Sequence, residues 1–379
     1  MPSALRYLTR KKEETIACIG ELVACESPSD SPASINRFLD LLIESARDIA
    51  TPKLIPASGA GQHLRLEFKL PGRRKEGRIL GLGHSDTVWP LGTLQSMPFR
   101  RARGRLWGPG VLDMKAGIAL FLFAARTLRD LDIPVRRNVT LLVVSDEELG
   151  SKHSRALTES EAQRSNYVLV LEPGTGLSGK LKTARKGIAG YKISVQGVAA
   201  HAGVDFTNGA SAIVELSRQI ERIATFTNLE RSITVNPGLI RGGTRTNVIA
   251  AEAAAEIDVR VARLRDAAAI DRQFRKLRPF DKRCRLTIEG GLNRPPMERS
   301  KGIATLFQRA REIGQEMGIE LEESATGGGS DGNFTAALGI PTLDGLGAVG
   351  EGAHASNESI LIDRIADRTA LLAGLLSRL

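Results

Sequence analysis

The sequence predicts an α/β protein of two domains, and three observations carry that prediction. Apolar runs at 79–82, 139–144 and 168–171 each end in a short cluster of acidic or imidazole residues, with a helical pattern at 114–131 between the first two. Residues 190–288 alternate differently and read as β-α-β-β-α-β. After residue 300 the helix and strand signals of the first pattern resume. Strand–helix–strand alternation builds a mainly parallel central sheet flanked by helices. A β-α-β-β-α-β block is the self-contained, ferredoxin-like order. It therefore reads as a domain inserted into the first one.

Taken in order, residues 13–25 and 33–49 have helical periodicity, and 64–70 reads as a strand before the Pro71-Gly72 turn. In the segment 114–131, Ile118, Leu120, Phe121, Phe123, Ala124 and Leu128 give a helix that packs on a sheet. The second block holds strands at 190–196, 233–240, 253–261 and 284–288, with helices at 210–225 and 265–277. Gly187 before it and Pro295-Pro296 after it suit hinges. The predicted boundaries are residues 1–185 and 294–379 for the first domain and 186–293 for the insertion. The remainder reads as a helix at 303–317, a Gly-rich turn at 326–332 with a short helix at 331–338, a strand at 340–346 and a closing helix at 363–379.

At 379 residues the chain is long enough for a sizeable core. Its 42% hydrophobic and 25% charged content are those of an ordinary globular protein. The net charge of +10 raises the question of a nucleic-acid partner. The basic residues are scattered and aromatics make up only 4%, without an interleaved stacking platform. A solvated basic surface, or electrostatic attraction of a carboxylate substrate, is the better reading. Three cysteines, none in a C-x-x-C pair, argue against a disulfide framework and a thiolate metal site. The N-terminus has no apolar signal core and no run approaches a membrane span, so the expected location is cytoplasmic.

The clusters carry the chemistry. They are Gly83-His84-Ser85-Asp86-Thr87, Ser145-Asp146-Glu147-Glu148 and Leu171-Glu172-Pro173, joined by Gly110-Val111-Leu112-Asp113-Met114-Lys115 and Gly352-Ala353-His354-Ala355. Ligands in α/β sheets bind outside the carboxyl ends of strands, so these side chains fall along one rim. His84, Asp113, Glu148, Glu172 and His354 give two metal ions a bridging carboxylate and further N and O donors that suit zinc. Of only five histidines, two lie in these clusters and a third, His201, in Gly-Val-Ala-Ala-His-Ala-Gly (197–203); His63 and His153 read as structural or surface residues. Asp86, two residues from His84, is placed to accept the imidazole's other N–H; taken alone it would read as a turn or cap residue. Glu147 and Glu148 are adjacent, so their side chains diverge. One can bind metal while the other acts as a base.

The whole set resembles the M20 metallopeptidases, within them the carboxypeptidase G (glutamate carboxypeptidase) branch, over nearly the full chain. Gly-His-Ser-Asp-Thr-Val (83–88), Gly-Pro-Gly-Val-Leu-Asp-Met-Lys (108–115), Asp-Glu-Glu-Leu-Gly-Ser (146–151) and Leu-Glu-Pro (171–173) look like the family's metal motifs. Gly-Val-Ala-Ala-His-Ala-Gly (197–203), Gly-Gly-Thr-Arg-Thr-Asn-Val-Ile (242–249) and Thr-Gly-Gly-Gly-Ser-Asp (326–331) look like its lid and substrate motifs. Met114 and Ala116 stand where many members carry Asp and Gly, and Arg185-Lys186 where the glutamate-releasing relative has small polar residues.

The resemblance implies a zinc-exopeptidase-like catalytic domain with a lid that forms a homodimer. His84 and Glu172 would hold one Zn2+, Glu148 and His354 the other, with Asp113 bridging and Co2+ or Mn2+ as substitutes. Glu147 would be the general base and the peptide bond after Asp113 would be cis. His201, reaching from the partner subunit, and Asn247 would polarise the scissile carbonyl. Arg260, Arg294, Lys180 and Gly328 would contact substrate; taken alone, Arg260 reads as an exposed strand residue and Lys180 as a loop residue. The implied reaction releases glutamate or a similar residue from a peptide or N-acyl amino acid, with no nucleic-acid or membrane partner. The rivals are an N-acyl-amino-acid amidohydrolase, an aminopeptidase on the same scaffold, and a zinc-dependent binding protein with a dead site. Glu147 beside a full ligand set argues against the last.

Overall fold

A computed structural model describes residues 1–379. They form two compact units, one of Met1–Ala184, Arg299–Thr326 and Ser330–Leu379, the other of Arg185–Glu298 with Gly327–Gly329. Arg185 and residues 294–298 therefore belong to the second unit, outside the boundaries drawn from sequence. No helix is long and apolar enough to cross a membrane.

The first unit is built on a six-stranded sheet in the order Ala50–Ile55, His63–Phe68, Asn138–Val144, Arg78–His84, Tyr167–Val170, Thr342–Leu343. The last four run parallel, and His63–Phe68 runs antiparallel to both of its neighbours. In the parallel strands the apolar residues alternate between two buried faces. Ile79, Leu141, Val143 and Leu169 join the larger core, while Leu80, Leu82, Leu142, Val144, Val168 and Val170 form a second cluster on the other side. Burial on both faces explains why these strands read as continuous apolar runs. Each such side chain contributes about 1.5–3 kcal/mol by leaving water.

Helix Ala116–Asp130 is buried nearly all round because helix Ile365–Arg378 packs on it away from the sheet. Its second residue, Gly117, admits a close approach: a Cβ there would stand 2.2 Å from the Leu171 carbonyl oxygen. That contact brings the start of the helix up to the end of strand Tyr167–Val170.

The second unit holds a four-stranded antiparallel sheet in the order Thr234–Gly242, Glu252–Val261, Gly187–Gln196, Arg285–Arg294. With helices Ala212–Ala224 and Leu264–Arg275 this is the ferredoxin-like arrangement. Tyr191 stacks on Phe274 with ring centroids 3.8 Å apart, joining the sheet to the second helix. Pro237 sits at a bulge in the edge strand, where a missing N–H costs no ladder bond.

Some elements differ from expectation. Ala50–Ile55 forms a strand and Arg155–Gln163 a helix that the pattern did not reveal, and the expected strand at 340–346 is only Thr342–Leu343.

Candidate metal centre

His84 is the last residue of strand Arg78–His84, and in register it stands beside Val144, the last residue of strand Asn138–Val144. Glu147 and Glu148 lie on the turn just beyond Val144, and Glu172 lies two residues beyond Val170. Three parallel strands thus deliver their polar ends to one rim, as open α/β sheets do. Asp113 comes from the irregular turn Val111–Lys115 that leads into helix Ala116–Asp130, and the Asp113–Met114 peptide bond is cis.

Two donor groups form there, each with its ligand atoms within 4.8 Å of one another: His84, Asp113 and Glu172, and Asp113, Glu148 and His354. Asp113 belongs to both. Its Oδ1 lies 3.1 Å from His84 Nε2 and its Oδ2 3.3 Å from His354 Nε2. Glu172 Oε1 is 3.6 Å from His84 Nε2, and Glu148 Oε1 is 3.1 Å from His354 Nε2.

The electrostatics fit a cationic occupant. Burial would lower the His84 imidazole, but hydrogen bonds with Asp113, Asp86 and Glu172 hold it well above its ordinary range. Hydrogen bonds with Asp113 and Glu148 push His354 up to about 10. Burial drives the Glu148 carboxyl upward, against the pull of His354. Three carboxylates share two imidazoles, so the cluster favours added positive charge. Imidazole nitrogen and carboxylate oxygen are donors that zinc and similar divalent ions accept.

Asp86 meets the His84 ring through two groups. His84 Nδ1 stands 2.9 Å from the main-chain carbonyl of Asp86, nearer than the 3.5 Å to its carboxylate. The carboxylate also accepts the backbone N–H groups of Glu147 and Glu148, each at 3.2 Å. Asp86 is fully buried.

Other expected site residues belong to the second unit. The His201 and Asn247 loops pair with each other: Ala202 donates its N–H to the Asn247 carbonyl at 3.0 Å, and His201 bridges Val248. His201 Nδ1 accepts the N–H groups of Gly203 and Val204 at 3.2 Å. Arg260 is gripped by Asp258, with Nε 2.8 Å from Oδ1 and Nη2 2.9 Å from Oδ2, and it donates to the Gly327 carbonyl at 3.3 Å. Arg294 is buried at the end of strand Arg285–Arg294. Gly328 is exposed, and its carbonyl accepts from Arg185 at 3.1 Å, giving the Arg185 charge a structural partner. Lys180, in the first unit, is ion-paired with Glu322, so its charge is already compensated. His63 is buried, with Nδ1 3.0 Å from Ser145 Oγ, and His153 is exposed. Sequence reasoning missed Glu358, a buried carboxylate at the turn carrying Asp113; within Asn357-Glu358-Ser359 nothing singles it out.

A family model described as Peptidase family M20/M25/M40 matches residues 80–378. Carboxypeptidase G2 of Pseudomonas sp. (strain RS-16) is 32% identical over 319 residues, covering 81% of this chain and 75% of that protein. Among solved structures, aminopeptidase PepT from Bacillus cereus ATCC 10987 superposes with a TM-score of 0.81 at 23% identity, covering 97% of this chain and 98% of that one. The YXEP protein of Bacillus subtilis, a dinuclear metal binding peptidase from the M20 family, gives a TM-score of 0.67 at 13% identity, covering 97% and 98%. With the match running through every strand-end cluster, the chain belongs to peptidase family M20/M25/M40, a family of metal-dependent hydrolases.

Proposed function

We propose that this protein is a two-zinc carboxypeptidase that hydrolyses the amide bond next to a free C-terminal carboxylate, releasing glutamate or a similar residue. The observation that carries this reading is Asp113. Its two oxygens face two different imidazoles, at 3.1 and 3.3 Å, which is what a carboxylate shared between two ions requires. His84 and Glu172 would hold one ion, and Glu148 and His354 the other. When bound, the pair would supply Lewis-acid polarisation of the scissile carbonyl and acidify the attacking water.

The chain's own residues supply the proton transfers. Glu147 follows the same strand as Glu148, and its backbone N–H is fixed by Asp86. It takes the proton from the attacking water and passes it to the leaving amine. His201 Nδ1 accepts two backbone N–H groups, so in the neutral ring the proton sits on Nε2. That nitrogen donates to the carbonyl oxygen as negative charge develops there, with Asn247 from the paired loop. Arg260 and Arg294 would meet the substrate carboxylate.

The same reading includes a homodimer through the second unit. Its edge strand exposes Leu239 and Ile240, and the neighbouring helix exposes Ile213 and Val214. An exposed apolar edge is a ready template for pairing with a strand of another chain.

The zinc-loaded protein should be incubated with N-acyl amino acids that differ only at the C-terminal residue, and the released amine identified. Release of glutamate from acyl-glutamate supports the reading. Cleavage that requires a free N-terminal amine would replace it with an aminopeptidase.

A further inference from the structure

Glu358 is completely buried, yet no lysine or arginine hydrogen-bonds its carboxylate. Four N–H groups satisfy it instead. Oε1 accepts from Leu112 at 2.8 Å and Asp113 at 3.1 Å, while Oε2 accepts from Gly110 at 2.9 Å and from the Trp89 indole at 2.8 Å. Three of these donors are consecutive or nearly so in one short turn. That turn is not helical: Asp113 has φ −118° and ψ 93°, and Met114 φ −136° and ψ 32°. Its N–H groups lie outside the helix ladder and need an acceptor, since a buried unpaired N–H is costly. A carboxylate is the strongest acceptor a side chain offers to them.

The position of this acceptor matters. Glu358 follows His354 by four residues, and its own N–H bonds the Ala355 carbonyl at 2.9 Å. One side chain therefore ties the segment that carries His354 to the turn that carries Asp113, the residue common to both donor groups.

We infer that Glu358 is a positioning residue for the metal centre, fixing the Asp113 turn through its backbone and holding it in register with His354. This rests on the two-metal reading above, and its test reads metal binding, apart from substrate. In Glu358→Gln one acceptor oxygen becomes an amide NH2. Whichever way the amide turns, two N–H donors then face a donor. Groups that orient metal ligands typically change metal affinity by about 10–100-fold when altered.

The test is a Zn2+ titration against a chromophoric chelator, with the visible spectrum of the Co2+-loaded full chain, on wild type, E358Q, E358D and W89F. The expected result for E358Q is Zn2+ affinity weakened by roughly ten- to hundredfold, with a changed Co2+ spectrum and unchanged far-ultraviolet dichroism. W89F removes one bond that does not reach the turn, so it should keep near-native affinity and the native spectrum. Two ions per chain at native affinity in E358Q, with the native Co2+ spectrum, would overturn the assignment. If E358Q does not fold, the other two variants decide. E358D loosens all three turn bonds and must bind Zn2+ more weakly than W89F; equal affinities would overturn the assignment. A wild-type chain that takes up a single ion would defeat the two-metal reading alone, and the comparison of variants would still report on Glu358.

Discussion

His84 Nδ1 lies 2.9 Å from the main-chain carbonyl of Asp86 and 3.5 Å from its carboxylate. Asp86 therefore acts twice. Its backbone carbonyl takes the Nδ1 proton of His84, which leaves Nε2 facing Asp113 and Glu172 as the nitrogen a metal ion would engage. Its carboxylate holds the Glu147–Glu148 turn by two N–H bonds and accepts from Ser29 Oγ at 2.9 Å.

This division of labour predicts an asymmetric variant. Asp86→Ala keeps the carbonyl that holds His84 and loses both bonds to the glutamate turn. Metal affinity should fall by about 10–100-fold, with the ion beside Glu148 and His354 lost first. Chelator competition on the apo protein measures it. Native affinity for both ions would mean that other contacts hold the turn.

Glu147→Gln should separate metal binding from catalysis. Glu147 is in neither donor group, so the variant should retain both ions by elemental analysis. Its rate should fall by at least about 10²–10⁴-fold, the contribution typical of a general base. Zinc lost on this substitution would exchange the roles of Glu147 and Glu148.

How far the sequence was legible follows from which signals are local. The runs before His84, Glu147 and Glu172 were visible because both faces of those strands are buried, leaving Thr140 as the one polar residue within them. Strand Ala50–Ile55 was hidden because it is an edge strand with Pro52 and exposed residues at four successive positions. Helix Arg155–Gln163 was hidden because two of its three buried positions are Thr158 and Glu161, so no apolar stripe appears. The part of Asp86 that reaches the glutamate turn, and all of Glu358, depend on residues about 60 and 245 positions away. No periodicity reports such pairings.

Acid should weaken one surface network measurably. Burial would raise the Asp48 carboxyl, but hydrogen bonds from Arg126 and Arg129 hold it at about 2, below its ordinary 3.8. A depressed carboxylate contributes stability above the unfolded value, and that contribution is lost as pH falls through the folded one. Since Asp48 is partly exposed, Asp48→Asn should cost only about 0.5–1 kcal/mol at neutral pH. In urea titrations the difference from wild type should shrink between pH 4 and pH 2. A constant difference across that range would exclude the ion-pair origin.

If His201 serves the partner's site, subunit exchange will reveal it. Neither His201→Ala nor Glu147→Gln homodimers should have appreciable activity. Each mixed dimer would contain one site with an intact Glu147 and an intact His201 from the partner, so activity should return on mixing. An absence of recovery after verified exchange would assign His201 to its own subunit or to no catalytic role. Dilution supplies the control, because isologous dimers dissociate by mass action.

Substrate charge gives the most discriminating measurement. One cation suffices for the α-carboxylate, and arginine can hold it bidentately. Lys180 is ion-paired with Glu322, so the expectation of a second carboxylate rests on Arg260 and Arg294. Arg260 is in turn gripped by Asp258, through Nε at 2.8 Å and Nη2 at 2.9 Å, so a substrate carboxylate must compete with an internal one. A leaving residue with its own carboxylate brings enough charge to engage both arginines, and a neutral residue does not. The prediction is that glutamate-terminated substrates exceed glutamine-terminated ones in kcat/KM. Glutamine keeps the shape and removes the charge, so the ratio isolates one charge-assisted hydrogen bond. Such a bond contributes about 1.5–3 kcal/mol, which corresponds to a ten- to hundredfold preference. Asp258→Asn should narrow the gap by raising the rate on glutamine-terminated substrates, since the internal competitor is gone. Equal rates for the two substrates in wild type, or faster release of leucine or phenylalanine, would remove the acidic-pocket reading and leave a general carboxypeptidase.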